Sequence, residues 1–204
     1  MNIILDILIL GTITVFVLYR LYSVLGRKQF PPNEHMGNII KFPQGSEAKI
    51  EDIDDLETPF VKEVEHIRTY DPSFQLKDFL QGARYAFEKI FKDYIKGDMS
   101  EVKTYLNKSI QQTFEKEIRY RKEVLHLDLF HIRDVSVTHM SLHRYVAEIT
   151  VKIISDQVLL TKDRQGNLLE GDPDQVETLT DTWVFSRNLK SKDPNWTLVK
   201  IVEK

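Results

Sequence analysis

Cysteine is absent from the sequence. Disulfides, thiolate nucleophiles and cysteine-ligated zinc are therefore excluded, and the absence is compatible with a reducing compartment. Glycine is sparse, with eight residues in 204, and no glycine-rich phosphate loop or Gly-x-Ser-x-Gly elbow can be built from them. Charge of one sign is missing too: 28 Lys and Arg face 31 Asp and Glu, a net charge of −3. Nothing in that balance draws the chain toward nucleic acid, and no nucleic-acid partner is expected. Four of the six histidines, His126, His131, His139 and His143, fall close together. His139 and His143 would share a strand face but lie about 13 Å apart along it, too far for one ion. The His-Glu-x-x-His pattern is absent, and Asp163-Arg164-Gln165-Gly166 lacks the alternating acids of a calcium loop. No metal and no cofactor is expected.

What is present begins with an apolar run. Residues 1–28 hold Ile3, Ile4, Leu5, Ile7, Leu8, Ile9, Leu10, Ile13, Val15, Phe16, Val17 and Leu18, with Asp6 the sole charge before Arg20. A bilayer core asks for roughly 20 apolar residues as a helix, so this run predicts a single transmembrane anchor. Arg20, Arg27 and Lys28 follow it and nothing basic precedes it. The positive-inside rule then puts the rest of the chain in the cytoplasm, as a single-pass membrane protein. A secretory signal would show a basic start and a small-residue cleavage site, and a mitochondrial presequence would be Arg-rich and amphipathic. Neither pattern fits. Residues 29–70 contain Pro31, Pro32, Pro43 and Pro59 and turn acidic through Glu47, Glu51, Asp52, Asp54, Asp55 and Glu57. This composition predicts a flexible tether, with a short helix at Phe60–Thr69 on the spacing of Val61, Val64 and Ile67.

Residues 71–204 carry the periodicity of a folded domain. Asp71-Pro72 reads as an N-cap with proline at the first helical position. Leu76, Phe79, Leu80, Ala83, Ala86, Phe87, Ile90, Phe91, Tyr94 and Ile95 then form one wide apolar stripe, which Gly97 ends. Gly82 and Ala83 inside it suit close packing, on the domain's own sheet or, less simply, on a partner helix. Asp98 with Glu101, and Ser109 with Gln112, read as capping boxes of two further helices. Ile110, Phe114, Ile118 and Leu125 line one face of the second. Arg119, Arg121 and Lys122, with Lys89, Lys92 and Lys96, offer a basic surface for anionic lipid or simply a solvated helix face.

Strand patterns come next along the chain. Val135 and Val137 have one parity and Met140 and Leu142 the other, which a bulge near Thr138 would reconcile. Tyr145, Ala147, Ile149, Val151 and Ile153 alternate with Glu148, Thr150 and Lys152. Leu179, Asp181, Trp183 and Phe185 share a face opposite Thr178, Thr180 and Thr182, and Trp196, Leu198 and Val202 share one on the last strand. Helices first and antiparallel strands after them mean α+β, with helices packed on one side of a curved sheet.

The segments Glu170-Gly171-Asp172-Pro173, Asp181-Thr182-Trp183-Val184-Phe185-Ser186-Arg187 and Asp193-Pro194-Asn195-Trp196 resemble the Tim44-like domain family. So do Phe79-Leu80-Gln81-Gly82-Ala83-Arg84, Tyr85-Ala86-Phe87 and Gly97-Asp98 upstream. That family is named after a peripheral subunit of the mitochondrial inner-membrane import machinery. The resemblance implies a cone-shaped fold like nuclear transport factor two, and a non-enzymatic adaptor working in protein translocation or membrane-protein biogenesis. Expected partners are the membrane lipid bilayer, a translocating or nascent polypeptide and a DnaK-type chaperone. The expected contact or ligand pocket is the face of Tyr145, Leu179, Asp181, Trp183 and Phe185. In the alternative reading the same pocket holds a small molecule or substrate. Asp181 would then be its carboxylate, with a pKa raised by apolar surroundings as a general acid or base requires.

Overall fold

Residues 58–202 are described by the structure, a computed structural model. The expected anchor and most of the expected tether lie outside them. No helix among the described residues is long and apolar enough to cross a membrane.

The first described helix, α1 (Val61–Arg68), buries Val64 and Ile67 in the core of the domain. The packed domain therefore starts inside the stretch expected to be tether, because two apolar residues one turn apart find a surface to cover. The next helix begins later than residue 72. Helix α2 spans Leu76–Lys96, Gln75 is its N-cap, and no side chain caps it. Asp71 is not a cap: its Oδ1 accepts hydrogen bonds from the Ser73 amide and hydroxyl, forming a turn between the helices. The apolar stripe holds, with Leu76, Phe79, Leu80, Ala83, Ala86, Phe87 and Ile90 all buried. Gly97 closes α2 at φ 80°, and the amides of Gly97 and Asp98 bond to the carbonyls of Tyr94 and Asp93. Arg121 donates to the Tyr94 and Ile95 carbonyls, at 3.1 Å each, satisfying carbonyls left open by the helix end.

Neither expected capping box forms. Ser100–Tyr105 is a 3₁₀ turn with no side-chain cap, and Glu101 reaches Lys89 instead. Helix α3 (Lys108–Tyr120) is capped by Asn107, whose Oδ1 accepts from the Ile110 amide at 2.8 Å. Ile110 and Phe114 are buried on α3, but Leu125 belongs to the first strand and not to this helix.

Five strands complete the domain: β1 (Val124–His143), β2 (Val146–Lys162), β3 (Leu168–Glu170), β4 (Glu177–Asn188) and β5 (Thr197–Val202). The sheet is antiparallel in the order β1-β2-β4-β5, with β3 beside the end of β2. Register shifts in β1 fall at residues 128, 133 and 138. The shift at Thr138 sets Val135 opposite Ile153 and Val137 opposite Val151, then Met140 opposite Ile149 and Leu142 opposite Ala147. Both parities therefore reach the same face. Bulges also bend a strand, and three of them along 20 residues give the long hairpin its curvature.

Ala147, Ile149, Val151 and Ile153 are fully buried on that face, opposite Arg187, Phe185, Trp183 and Asp181 of β4. The helices cover it. Phe79 meets Phe185 edge-on at 6.0 Å, and Phe87 meets Trp183 edge-on at 4.7 Å. On β5 a shift at Val199 brings Ile201 opposite Trp183 and turns Val202 toward Thr182 on the far face. Leu198 and Ile201, not Val202, therefore complete the core. The other edge of β5 is tied to the start of α3 by the Asn107 amide, which donates to the Leu198 carbonyl.

Two substitutions test this packing. Trp183→Ala is expected to lower stability by about 3 to 5 kcal/mol, as truncating a buried aromatic does, read by denaturant titration. Gly82 is exposed on α2, and a Cβ there would meet nothing within 4 Å. Close packing is not its role. Gly82→Ala is expected to raise stability by roughly 0.5 to 1 kcal/mol through helix propensity, and a loss in the same titration would show an unseen constraint.

Candidate interaction surface

The residues expected to line one pocket are divided by the fold. Trp183 is 4% exposed and Phe185 1% exposed, and both are packed under α2. They are core and cannot meet a partner, because the concave face is filled by Phe79 and Phe87. Leu179 and Asp181 are half-buried farther along β4, opposite Ser155 and Ile153. Tyr145 is elsewhere. It is not the first residue of the β2 inner face but part of the two-residue turn Arg144-Tyr145 between β1 and β2. No single cavity is built from all five.

The basic residues expected to meet lipid are divided as well. Arg121 is committed to the end of α2 and stacks its guanidinium 5.2 Å from the Tyr94 ring centre. Lys89 is held between Asp93 and Glu101, and Lys92 pairs with Glu88. Lys122 and Arg119 are both exposed, the latter lining part of a cleft of about 280 Å³ with Lys103 and Glu115. Lys103 and Glu115 pair at 3.5 Å across that cleft.

What the structure does assemble is the sheet end where the β1–β2 turn meets the β4–β5 loop. A cleft of about 460 Å³ opens there on the outer face, lined by Ser141, His143, Arg144, Tyr145, Val146, Glu148 and Asn188. Register explains the set: Ser141 faces Glu148, and His143 and Asn188 flank Val146. Tyr145 stands edge-on to Tyr70 from the α1–α2 corner, with centroids 5.4 Å apart. The Lys190 ammonium lies 3.4 Å from the Tyr145 ring centre, and its hydrogen bond and charge lower the phenol's pKa. Tyr70, Tyr145 and Val146 each remain more than a third exposed. Apolar rings beside lysine suit a contact that is partly apolar and partly anionic.

Arg144 holds φ at 55°, the one positive value outside glycine among the described residues. Left-handed backbone costs a non-glycine residue roughly 1 kcal/mol, and side chains kept there are often kept for function. Sequence reasoning placed Tyr145 in the site but missed Tyr70, Arg144 and Lys190. Its only available signal was a two-residue break in alternation at Arg144-Tyr145 without the usual glycine or asparagine.

The corner that carries Tyr70 is fastened to β4. Asp71 Oδ2 accepts from Arg187 Nη1 at 2.8 Å, and both side chains are largely buried. Hydrogen bonds from Ser73, then the Arg187 guanidinium, hold the Asp71 carboxyl below its usual pKa against the opposing effect of burial. Among the described residues no group of three or more His, Asp or Glu could hold a metal ion.

The strained turn and the clamp can each be tested. Arg144→Gly is expected to keep or raise the melting temperature while removing a charge from the cleft, so a clear loss of stability would show that Arg144 holds structure. A depressed carboxylate stabilises the fold at pH values above its unfolded pKa, about 3.9, and that contribution is lost as pH falls through the folded value. Asp71→Asn should therefore cost about 1 to 3 kcal/mol near neutrality by stranding buried Arg187 donors. It should also flatten the acid limb of stability against pH below about pH 4, as followed by thermal melts.

Comparison with known proteins extends the picture. The family model described as the Tim44-like domain matches residues 61–203. The mitochondrial import inner membrane translocase subunit TIM44-1 of Arabidopsis thaliana is 26% identical over 144 residues, which cover 66% of this chain and 30% of that protein. The uncharacterized protein RP434 of Rickettsia prowazekii (strain Madrid E) is 26% identical over 136 residues, 67% of this chain and 55% of that one. The matches thus span about a third and about half of those two relatives. Among solved structures, the intermembrane space region of chloroplast protein ARC6 covers 61% of this chain at 12% identity, with a TM-score of 0.38. Because the family model runs from the first described helix through the last strand, the chain belongs to the Tim44-like domain family.

Proposed function

We propose that this chain is a non-enzymatic, membrane-anchored adaptor of protein translocation or membrane-protein biogenesis. Its domain meets a polypeptide, a chaperone or lipid through the sheet end at Tyr145. Family membership over residues 61–203 carries the first half of that reading. The single observation that carries the second is the division of the expected pocket: Trp183 and Phe185 are core, whereas Tyr70, Tyr145 and Val146 remain exposed beside Lys190. Similarity to a translocase subunit of the mitochondrial inner membrane supports the membrane setting. The apolar run before residue 28 supports an anchor in a bacterial inner membrane, with the domain in the cytoplasm. A DnaK-type chaperone is the partner to look for first. Within this reading the sheet is the cone of nuclear transport factor two-like domains, its concave side filled by α2 and not by a ligand.

The enzymatic alternative gains nothing from the geometry. Asp181 lies half-buried on the sheet face of Trp183, whose ring meets Phe87 edge-on, and it lines neither of the two clefts described above.

A photocrosslinking residue at position 145 of the full-length chain, used in cells and read by mass spectrometry, tests the proposal. Adducts to nascent membrane proteins or to a DnaK-type chaperone are the expected result, with fewer from a probe at Thr180 on the outer face of β4. Adducts to a small metabolite alone, or equal labelling from both positions, would remove the assignment of this surface.

A further inference from the structure

The two ends of the sheet differ in charge and share exposed apolar surface. At the β1–β2 turn and β4–β5 loop, Arg144, Lys190 and Lys192 are exposed around Tyr145 and Val146, against Glu148 in the cleft and Asp193 in the loop. At the opposite end, residues 163–177 hold Asp163, Glu170, Asp172, Asp174 and Glu177 against the single base Arg164. Exposed apolar side chains cluster there as well. Val124 and Leu168 flank Lys162 in one cross-strand row and are 50% and 48% exposed, with Leu169 at 58% and Val176 at 40%. Lys162 within the row and Lys122 before it temper the acidic field without reversing it. Apolar side chains left open at both ends of one sheet, beside charges of opposite sign, are complementary surfaces.

They cannot meet within one molecule. Strand β2 runs the length of the sheet between them, and its 17 residues at about 3.3 Å each hold the ends roughly 50 Å apart. We propose that the acidic, apolar end of one copy docks on the basic, tyrosine-bearing end of a second copy, head to tail. Such a contact is heterologous: each copy keeps one free end of each kind, so copies add into rows or rings and do not stop at a dimer. The contact does not depend on which partner the Tyr145 surface meets. It would make self-association and partner binding compete for that surface.

Because the natural chain has no cysteine, the contact can be read by introduced thiols alone. Arg144→Cys and Asp174→Cys in one full-length chain, purified in a mild detergent and oxidised, should give a ladder of dimers, trimers and higher species. An intramolecular bridge is ruled out by distance, since a disulfide needs Cα atoms within about 7 Å. Asp174→Cys alone should give almost no product. A ladder from neither chain, or equal yield from Arg144→Cys alone, would overturn the head-to-tail geometry.

Charge reversal supplies the second arm, with Asp172 left in place because its carboxylate holds the Asp174 amide in a turn. Lys190→Glu with Lys192→Glu in one chain, and Asp174→Lys in another, should each raise the dissociation constant about tenfold in sedimentation. Mixed together, the two chains should regain association but stop at one-to-one pairs. Failure of the mixture to recover, with both variants melting like the parent, would also overturn the proposal.

Discussion

The packing of α2 against the concave face of the sheet is the contact on which the rest of this domain depends. Phe79 and Phe87 on one helix stripe enter the surface of Phe185 and Trp183, above the fully buried Ala147, Ile149, Val151 and Ile153. Burial at roughly 25 cal/mol per Å² makes such aromatic contacts the main source of stability. It also decides where function can lie. A concave face closed by its own helix leaves contacts to the rims and the ends of the sheet.

Around that core the polar groups act as fasteners. Asp71 and Arg187, 116 residues apart, tie the α1–α2 corner to β4. Arg121 takes up open carbonyls at the end of α2, and Asn107 both caps α3 and joins it to the edge of β5. Each satisfies backbone or charge that would otherwise be buried at a cost. By placing Tyr70 against Tyr145, the first fastener also shapes the surface offered to a partner. The Asp71–Arg187 bond thus serves both the stability of the corner and the shape of the proposed contact surface.

The only strained non-glycine residue among those described, Arg144, sits at an exposed turn next to Tyr145, whose ring carries the Lys190 ammonium, and this is the setting of the proposed contact. Conversion of substrate needs reacting groups brought together in a space that excludes water. Here Trp183 and Phe185, two of the residues expected at the pocket, are packed into the core under α2.

Several features were set by local chemistry and could be read from residue order. The α2 stripe and its Gly97 stop, the inner alternation of β2 and the bulge at Thr138 all depend on neighbours a few residues away. The α+β class comes from their order, and the missing cysteine removes thiol chemistry whatever the fold. What alternation could not show is what covers a face. The row Leu179, Asp181, Trp183 and Phe185 was legible as a row, but whether it enclosed a cavity or a core depended on how deeply α2 seats. The capping boxes, Asp71 and Arg121 were misread for a related reason: polar side chains satisfy whichever backbone group or charge the fold brings near, and those partners are distant in sequence. Tertiary structure alone placed Tyr145, Tyr70 and Lys190 together, because a sheet end gathers turns that the chain visits tens of residues apart.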